Sequence, residues 1–188
     1  YAKQILVPFG EYVPYPFNLI PGLEKITGPT GDFKRGNEFT TFTFKNKENQ
    51  TFNLVPLICY EDIFPELVAN IPKSKNTCVF VTTNDAWFGE EGCAEQHAAH
   101  SVIRSLETGI PFLRCGNAGW SGWISPSGVV RDVLLNNKGS VYFSGTGVFD
   151  IFLNSPNKLS DYKNLFKIFC ILNFFISFAF RRKLLYGK

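Results

Sequence analysis

One cysteine in the sequence occupies a position suited to a nucleophile. Cys59 follows the apolar run Leu54–Ile58 and is followed at once by Tyr60, Glu61 and Asp62. It therefore stands at the end of a predicted buried strand, where side chains are delivered to a site. A thiol attacks only as the thiolate, which needs a nearby base or cation. Taken alone, these residues favour a structural cysteine in the core over a nucleophile.

Groups that could activate this thiol occur elsewhere in the chain. Lys3 and Glu11 flank an apolar strand-like run and its exit loop, and such residues are usually solvated surface charges. His97 and His100 could act as a base towards Cys59, but no local Cys-His signature supports that pairing. Pattern reading leaves the structural and the catalytic interpretations of these residues open.

The cysteines predict neither disulfides nor a metal centre. There are five cysteines in 188 residues, widely scattered and without a Cys-x-x-Cys pair. Cys93, His97 and His100 would share one face of a helix at spacings of four and three, the nearest approach to a ligand cluster. A fourth ligand is not evident, and the stretch also reads as an ordinary helix start. We expect no metal and no cofactor.

Composition and charge exclude several classes of protein. Hydrophobic residues make up 45% of the chain and aromatic residues 16%, which excludes disorder and small disulfide-rich scaffolds. The net charge of +3 is unevenly placed, since seven Lys/Arg and one acidic residue lie from Ser155 onward. Residues 1–154 are therefore mildly acidic, which argues against a nucleic-acid-binding face.

The order of predicted elements indicates an α/β fold. Strands alternate with helices along the chain after a Pro/Gly-rich loop that ends near Gly36. The predicted strands are Ile5–Val7, Phe39–Phe44, Thr51–Cys59, Cys78–Thr82, Phe112–Cys115 and the hairpin of Trp120–Ile124 with Val129–Leu134. Predicted helices begin near Ile63, with Pro65 in the first turn, and at Ala94, the latter ending at Thr108 before Gly109.

The tail predicts a membrane-spanning helix. Residues 162–180 form a run of nineteen that is mostly apolar, about the length of a bilayer core, and Arg181-Arg182-Lys183 closes it. By the positive-inside rule the basic end is cytoplasmic, which would place the domain formed by residues 1–155 on the outer side. Residues 156–188 are thus predicted to be a juxtamembrane segment followed by a transmembrane helix.

Five stretches together carry a family resemblance. The chain resembles the nitrilase-type, carbon-nitrogen hydrolase domain of the bacterial apolipoprotein N-acyltransferase family. The run Pro-Phe-Gly-Glu-Tyr-Val-Pro is particular to this membrane branch, whereas the lysine and the Cys-Tyr-Glu element are shared in kind with soluble carbon-nitrogen hydrolases. The stretches are Tyr1–Pro14, Ile58–Glu61, Thr83–Gly89, Gln96-His97 and Arg104–Glu107.

The resemblance implies a fold and a catalytic triad. The fold would be a four-layer α-β-β-α sandwich, of which residues 1–155 are the C-terminal portion, with the N-terminal part missing. The triad would be of the Glu-Lys-Cys type, with Cys59 as nucleophile and Lys3 stabilising the thiolate and the oxyanion. Glu11 matches a second glutamate that supports the lysine. Tyr60, Glu61 and Trp87 match positions that bind substrate or support the site.

The family's general-base glutamate lies upstream of the lysine and has no counterpart in this sequence. We therefore expect little turnover from the 188-residue chain alone. The loop 12–36 is a candidate lid over an acyl chain. The chain also opens with Tyr1 and without a signal segment, which we interpret as a piece of a longer polypeptide.

The implied function is acyl transfer in bacterial lipoprotein maturation. The donor would be a phospholipid, the intermediate a thioester on Cys59, and the acceptor the α-amino group of the lipid-modified N-terminal cysteine of an apolipoprotein. The protein would be a monomer of the inner membrane with its catalytic domain on the periplasmic face and its C-terminus in the cytoplasm. Two alternatives stay open: a soluble nitrilase or amidase, and a non-catalytic remnant.

Overall fold

The computed structural model describes residues 1–23, 33–153 and 165–186. A mixed sheet lies at its centre, and its six strands are hydrogen-bonded in chain order, β1 to β6. The strands are β1 (Phe42–Lys45), β2 (Thr51–Ile58), β3 (Thr77–Asn84), β4 (Phe112–Asn117), β5 (Gly122–Ile124) and β6 (Val130–Val133). The α-helices are α1 (Pro65–Ala69), α2 (Cys93–Thr108) and α3 (Leu165–Tyr186).

Three parallel strands form the middle of the sheet. β2 pairs with β3 and β3 with β4 in parallel, while β1, β5 and β6 add antiparallel neighbours on either side. The register aligns Val55 with Val79 and Phe112, so these side chains share one face. All three are fully buried, and with Ala94 and Ala98 of α2 they belong to the hydrophobic core. The helical face of the sheet is therefore the packed one.

The parallel arrangement brings two chain turns to one edge of the sheet. Parallel strands need crossover connections, which α1 supplies between β2 and β3 and α2 between β3 and β4. α2 ends at Gly109, whose φ of +66° suits glycine. Short 3-10 helices follow β2 at Cys59–Ile63 and β3 at Asp85–Phe88. These two turns lie side by side, because the carboxyl ends of neighbouring parallel strands meet at the same edge.

The predicted strand Ile5–Val7 is wrong, because side chains occupy its backbone donors. Glu61 accepts hydrogen bonds from the backbone N–H groups of Gln4 and Ile5, at 2.6 and 3.2 Å. Glu11 accepts one from the N–H of Val7 at 2.8 Å. The segment is held to the site by two carboxylates instead of by a strand partner. The other predicted strands and the helix α2 are confirmed to within a few residues.

The described residues form one β layer, the six-stranded sheet, and one α layer, in which α1 and α2 pack against the same face of that sheet. The fold is thus α/β with a mixed six-stranded sheet, the coarser form of the expected sandwich. The mid-strand positions of Cys78 and Cys115 predict that both lie in the core. Cys78 is buried, and that prediction is confirmed. The prediction for Cys115 is wrong, because side chains alternate along β4, so Arg114 points to the helical face and Cys115 is exposed on the other.

The predicted membrane span is not confirmed. α3 covers much of the expected range, and no helix within residues 1–23, 33–153 and 165–186 is long and apolar enough to cross a bilayer. The apolar run of α3 is interrupted by Lys167 and Asn173 and is followed directly by Arg181. Residues 162–164 of the predicted range lie outside the described part.

Candidate active site

Cys59 sits on a strained turn at the end of β2. Its φ is +56°, a left-handed conformation that non-glycine residues seldom adopt. The residue leaves the strand and begins the 3-10 helix Cys59–Ile63, and its side chain is half-buried. Strained backbone at a strand-to-helix turn recurs where a side chain must project into a site. The position of Cys59 at a strand end and its backbone conformation therefore both indicate that the thiol projects from the turn into a site.

The thiol faces a cavity of about 560 Å³ between the two 3-10 turns and α2. Most of the exposed wall is apolar, and polar side chains contribute the rest, as is usual for ligand cavities. Four of the predicted site residues line the cavity: Glu11, Cys59, Tyr60 and Trp87. Its other lining residues are Val7, Ile58, Ile63, Thr82, Thr83, Asn84, Phe88, Cys93, Gln96, His97 and His100.

Buried Lys3 and partly buried Glu11 form an ion pair beside this cavity. Lys3 Nζ lies 2.8 and 2.9 Å from the two carboxylate oxygens of Glu11, and Lys3 is 8% exposed. The ammonium also lies 5.2 Å from the centre of the Tyr60 ring. Of the two, only Glu11 is among the described residues that line the cavity. The pair is thus held against the residue that follows Cys59, with Glu11 on the cavity side.

Tyr60 fastens the Cys59 turn to the N-terminal segment. Its hydroxyl donates a hydrogen bond of 2.6 Å to the backbone carbonyl of Leu6. Burial raises the pKa of Tyr60 to about 12, and the nearby Tyr12, Glu11 and Cys59 groups act in the same direction. The phenol therefore stays a neutral donor over the physiological range.

Glu61 is fully buried and binds four hydrogen-bond donors. Beside the N–H groups of Gln4 and Ile5, it accepts from the Ile58 N–H at 2.7 Å and from the Tyr1 hydroxyl at 2.9 Å. Burial, and then the negative charge of Glu61, raise the pKa of Tyr1. The carboxylate joins the end of β2 to the segment that carries Lys3. These hydrogen bonds indicate that Glu61 supports the structure around Cys59.

Trp87 forms part of the cavity rim. It is 63% exposed, and Phe88 beside it is 59% exposed. A Cβ at Gly10 would lie only 3.2 Å from the Trp87 ring, so the loop before Glu11 packs directly on the indole. Glycine at position 10 permits that close approach. The rim of the cavity is therefore aromatic and open to solvent.

A buried charge cluster under the cavity was not predicted. His97 contacts Asp62 Oδ1 through Nε2 and Asp85 Oδ1 through Nδ1, both at 3.0 Å. The other oxygen of Asp62 accepts hydrogen bonds from Ser101, at 2.5 Å, and from Arg114. Asp85 directly follows β3, and Asp62 lies four residues after the end of β2. This position shortly after a strand is the only local signal that could have revealed the two aspartates. The interpretation of His97 as a base towards Cys59 is wrong, because both ring nitrogens are taken by carboxylates.

The charges in this cluster stabilise one another. Burial works against a charged imidazole, but hydrogen bonds to Asp62 and Asp85 outweigh it and raise the pKa of His97. Burial likewise disfavours the Asp62 carboxylate, and the hydrogen bond from His97 with the charge of Arg114 more than compensates, so the pKa of Asp62 is lowered. Among the described residues no group of three or more His, Cys, Asp or Glu side chains is placed to hold a metal ion.

The fold and this site define a class of enzyme domain. Residues 1–149 match the carbon-nitrogen hydrolase family, and the chain belongs to that family. The match covers the whole sheet, α1 and α2, and each of the site residues described above.

Named relatives narrow the comparison. The chain is 32% identical over 145 residues to apolipoprotein N-acyltransferase 2 of Treponema denticola, covering 76% of this chain and 28% of the relative. It is 32% identical over 173 residues to the apolipoprotein N-acyltransferase of Rickettsia prowazekii, covering 92% and 33%. The enzyme of that name from Allorhizobium ampelinum is 38% identical over 139 residues, covering 73% and 25%. The chain thus spans about a third or less of these curated relatives.

Among solved structures, the chain is similar to an amidase from Nesterenkonia sp. AN1. The TM-score is 0.45 at 20% sequence identity, over 71% of this chain and 46% of the amidase chain.

Proposed function

We propose that the chain is the catalytic part of an N-acyltransferase of bacterial lipoprotein maturation. It would move a fatty acyl group from a phospholipid to the α-amino group of the lipid-modified N-terminal cysteine of an apolipoprotein. The observation that carries the proposal is Cys59, presented on a strained turn into a largely apolar cavity, in a chain whose relatives at 32–38% identity are named apolipoprotein N-acyltransferases.

The chemistry is a two-step transfer through a thioester. The Cys59 thiolate attacks the ester carbonyl of the phospholipid, the carbon–oxygen bond breaks, and the lysophospholipid leaves after its oxygen takes a proton. The acceptor amine then attacks the thioester, an amide bond forms and the carbon–sulfur bond breaks. The sulfur takes up the proton that the amine loses, which restores the thiol. The apolar cavity of about 560 Å³ suits an acyl chain next to the sulfur.

Lys3 and Glu11 supply the charge that the transfer needs. A cation near the thiol favours the thiolate and the developing oxyanion, and the Lys3 ammonium is the buried cation beside Tyr60. Glu11 orients it through two hydrogen bonds of 2.8 and 2.9 Å. We assign Tyr60 and Glu61 to holding the Cys59 turn, and Trp87 to the entrance for the acyl chain.

The proposed substrates place the reaction at a membrane. Phospholipid and apolipoprotein meet at the bacterial inner membrane, and we propose that the domain acts there on the periplasmic face as a monomer. The exposed aromatic rim at Trp87 and Phe88 is the part of the site suited to lipid. Residues 1–155 would be the catalytic portion and 156–188 a separate tail. The loop 12–36 remains a proposed lid, and its residues 24–32 lie outside the described part.

Mass spectrometry after incubation with a defined phospholipid tests the proposal. The sample is the longest natural polypeptide that contains this chain, in detergent, analysed as intact protein and as peptides. We expect a hydroxylamine-labile acyl mass on the peptide that holds Cys59, because a thioester is cleaved by hydroxylamine. The mass should be absent from Cys59→Ala and retained in Cys115→Ala, which removes an exposed thiol on β4.

The opposite result has a defined meaning. A folded protein whose Cys59 stays unmodified in the presence of phospholipid would contradict the acyltransferase proposal. Hydrolysis of small amides by the same sample would then identify a soluble-type amidase, the alternative that uses the same cysteine and lysine. If neither substrate class gives an adduct, the chain is a non-catalytic member of the family.

A further inference from the structure

His97 joins the two turns that form the cavity. It projects from α2, and each ring nitrogen lies 3.0 Å from a carboxylate oxygen, one of Asp62 and one of Asp85. Asp62 lies three residues after Cys59 in the first 3-10 helix. Asp85 opens the second 3-10 helix, two residues before Trp87. The imidazole therefore spans the gap between the turn with the thiol and the turn with the indole.

The hydrogen-bonding pattern requires a doubly protonated ring. Ionised carboxylates only accept hydrogen bonds, so a nitrogen without a proton would face an oxygen lone pair. Thr83 also donates to Asp85 Oδ1, at 2.9 Å. The charge balance also favours a doubly protonated ring. Two carboxylates, Asp62 and Asp85, face one guanidinium, Arg114, so the charges cancel only if His97 is an imidazolium. The side chains of Asp62 and Arg114 are fully buried, and a buried pair left unbalanced is unstable.

We propose that His97 is a positioning residue whose imidazolium, held between Asp62 and Asp85, sets the separation of the Cys59 turn from the Trp87 turn. The thiol keeps its reactive orientation and the cavity keeps its shape only while this bridge is formed. His97 lines the cavity, and in this role it acts through the position of the two turns and not on the reacting atoms. The part that concerns an acyl chain rests on the proposed function, whereas the effect on Cys59 does not.

The first experiment compares alkylation of Cys59 in two variants. His97→Gln removes the bridging charge, and Arg104→Gln is the matched control, because it removes another buried cation from α2 whose partner is Glu107 on the same helix. The reagent is iodoacetamide, and peptide mapping follows each cysteine. We expect the Cys59 rate to fall about ten-fold or more in His97→Gln, as misplacement of a reacting group does, and to stay near the unaltered rate in Arg104→Gln.

Exposed Cys115 serves as a thiol control within each molecule. Its rate should be unchanged in all variants. A folded His97→Gln chain that alkylates Cys59 within two-fold of the unaltered rate would overturn the proposal. Folding is checked by circular dichroism and by thermal unfolding of the same samples.

The second experiment tests the proton on His97 and does not depend on the Gln variant folding. Cys59 is alkylated in parallel with iodoacetamide and with N-dodecyl iodoacetamide between about pH 6 and pH 10. Both reagents attack the same thiolate, so the ratio of their rates cancels the ionisation of Cys59. This ratio reports the fit of a long chain in the cavity.

The direction of the pH effect follows from the charges that face the ring. These are Asp62, Asp85 and Arg114, with Cys93 of α2 also close to Asp85. With both carboxylates present the pKa of His97 is raised, so the imidazolium persists above the usual histidine range. The ratio of the dodecyl rate to the iodoacetamide rate should therefore fall only as the pH passes that raised pKa. Asp85→Asn removes one negative charge and should move the fall to lower pH.

The outcomes of these experiments test the protonated ring and the acyl cavity separately. A ratio that neither changes with pH nor responds to Asp85→Asn would overturn the requirement for a protonated ring. An unaltered chain that shows no preference for the dodecyl reagent at any pH would contradict the acyl cavity of the proposed function, and the iodoacetamide comparison would still decide the bridge.

Discussion

At the scale of single residues, the groups near Cys59 depend on partners in the N-terminal segment. Lys3 is held by Glu11, and Tyr60 by the carbonyl of Leu6. A buried ammonium is stable only with such a partner, and a buried carboxylate likewise. The reactivity of the thiol should therefore respond to the Lys3–Glu11 pair as a unit.

Replacing Lys3 with methionine should slow alkylation of Cys59. The change keeps the length of the side chain and removes the buried positive charge beside Tyr60, so the thiolate loses a stabilising cation. We expect a decrease of about ten-fold in the iodoacetamide rate, which corresponds to about 1.4 kcal/mol of lost transition-state stabilisation. Peptide-resolved mass spectrometry at fixed pH measures it.

Lys138→Met is the control for that experiment, since it removes an exposed lysine outside the site. An equal rate in Lys3→Met and Lys138→Met would contradict the role assigned to Lys3. Circular dichroism of both variants would show that the fold is retained, and unchanged labelling of exposed Cys115 controls for the reagent.

At the scale of elements, two turns at one edge of the sheet build the cavity. The turn after β2 presents Cys59, and the turn after β3 presents Trp87. The second turn is packed tightly from behind, because a Cβ at Gly119 would lie 2.9 Å from Asp85 Cβ and closer still to its carboxylate. Asp85 Oδ2 is buried there with no hydrogen-bond partner among the described residues. This packing leaves the turn no room to shift.

Gly119→Ala should displace the Asp85–Phe88 turn. The added methyl group overlaps Asp85, and overpacking of this kind costs about 1–3 kcal/mol of folding free energy. We expect a lower urea midpoint and slower alkylation of Cys59. Gly147→Ala is the matched control, since its Cβ meets mainly the mobile end of Leu134 at 3.0 Å. Equal effects of the two substitutions would contradict the close packing described for Asp85.

At the scale of the whole molecule, the sheet with α1 and α2 holds the core, and α3 adds nothing to it among the described residues. The buried side chains of the contiguous hydrophobic cluster all lie between Val55 and Val141 among the described residues. The described apolar side chains of α3 are 52–67% exposed. A stretch with no buried side chains contributes little to the cooperativity of unfolding.

A chain that ends at residue 155 should therefore unfold at nearly the same temperature as the full chain. We expect a midpoint within about 2 °C, measured by circular dichroism in a mild detergent that keeps α3 dispersed. A chain that ends at Gly128 is the contrasting variant, because it lacks β6 and the core residue Val141, and its midpoint should fall clearly. A large loss of stability in the 155-residue chain would show that the tail packs on the domain.

The sequence by itself determined the parts of this protein that depend on local patterns. Apolar runs marked β2, β3 and β4, and Gly109 marked the end of α2, since these signals lie within a few residues of one another. The same local order placed Cys59 at a strand end. Family motifs then pointed to Lys3 and Glu11 as its companions.

Only the tertiary structure decided which charges meet. His97 lies 35 positions from Asp62 in the sequence and 12 from Asp85, and Glu61 lies 57 from Gln4, so no local pattern links them. These groups pair because the parallel strands bring their turns to one edge and α2 covers it. Burial then makes each pairing obligatory, since an unpartnered charge in the interior is too costly to keep.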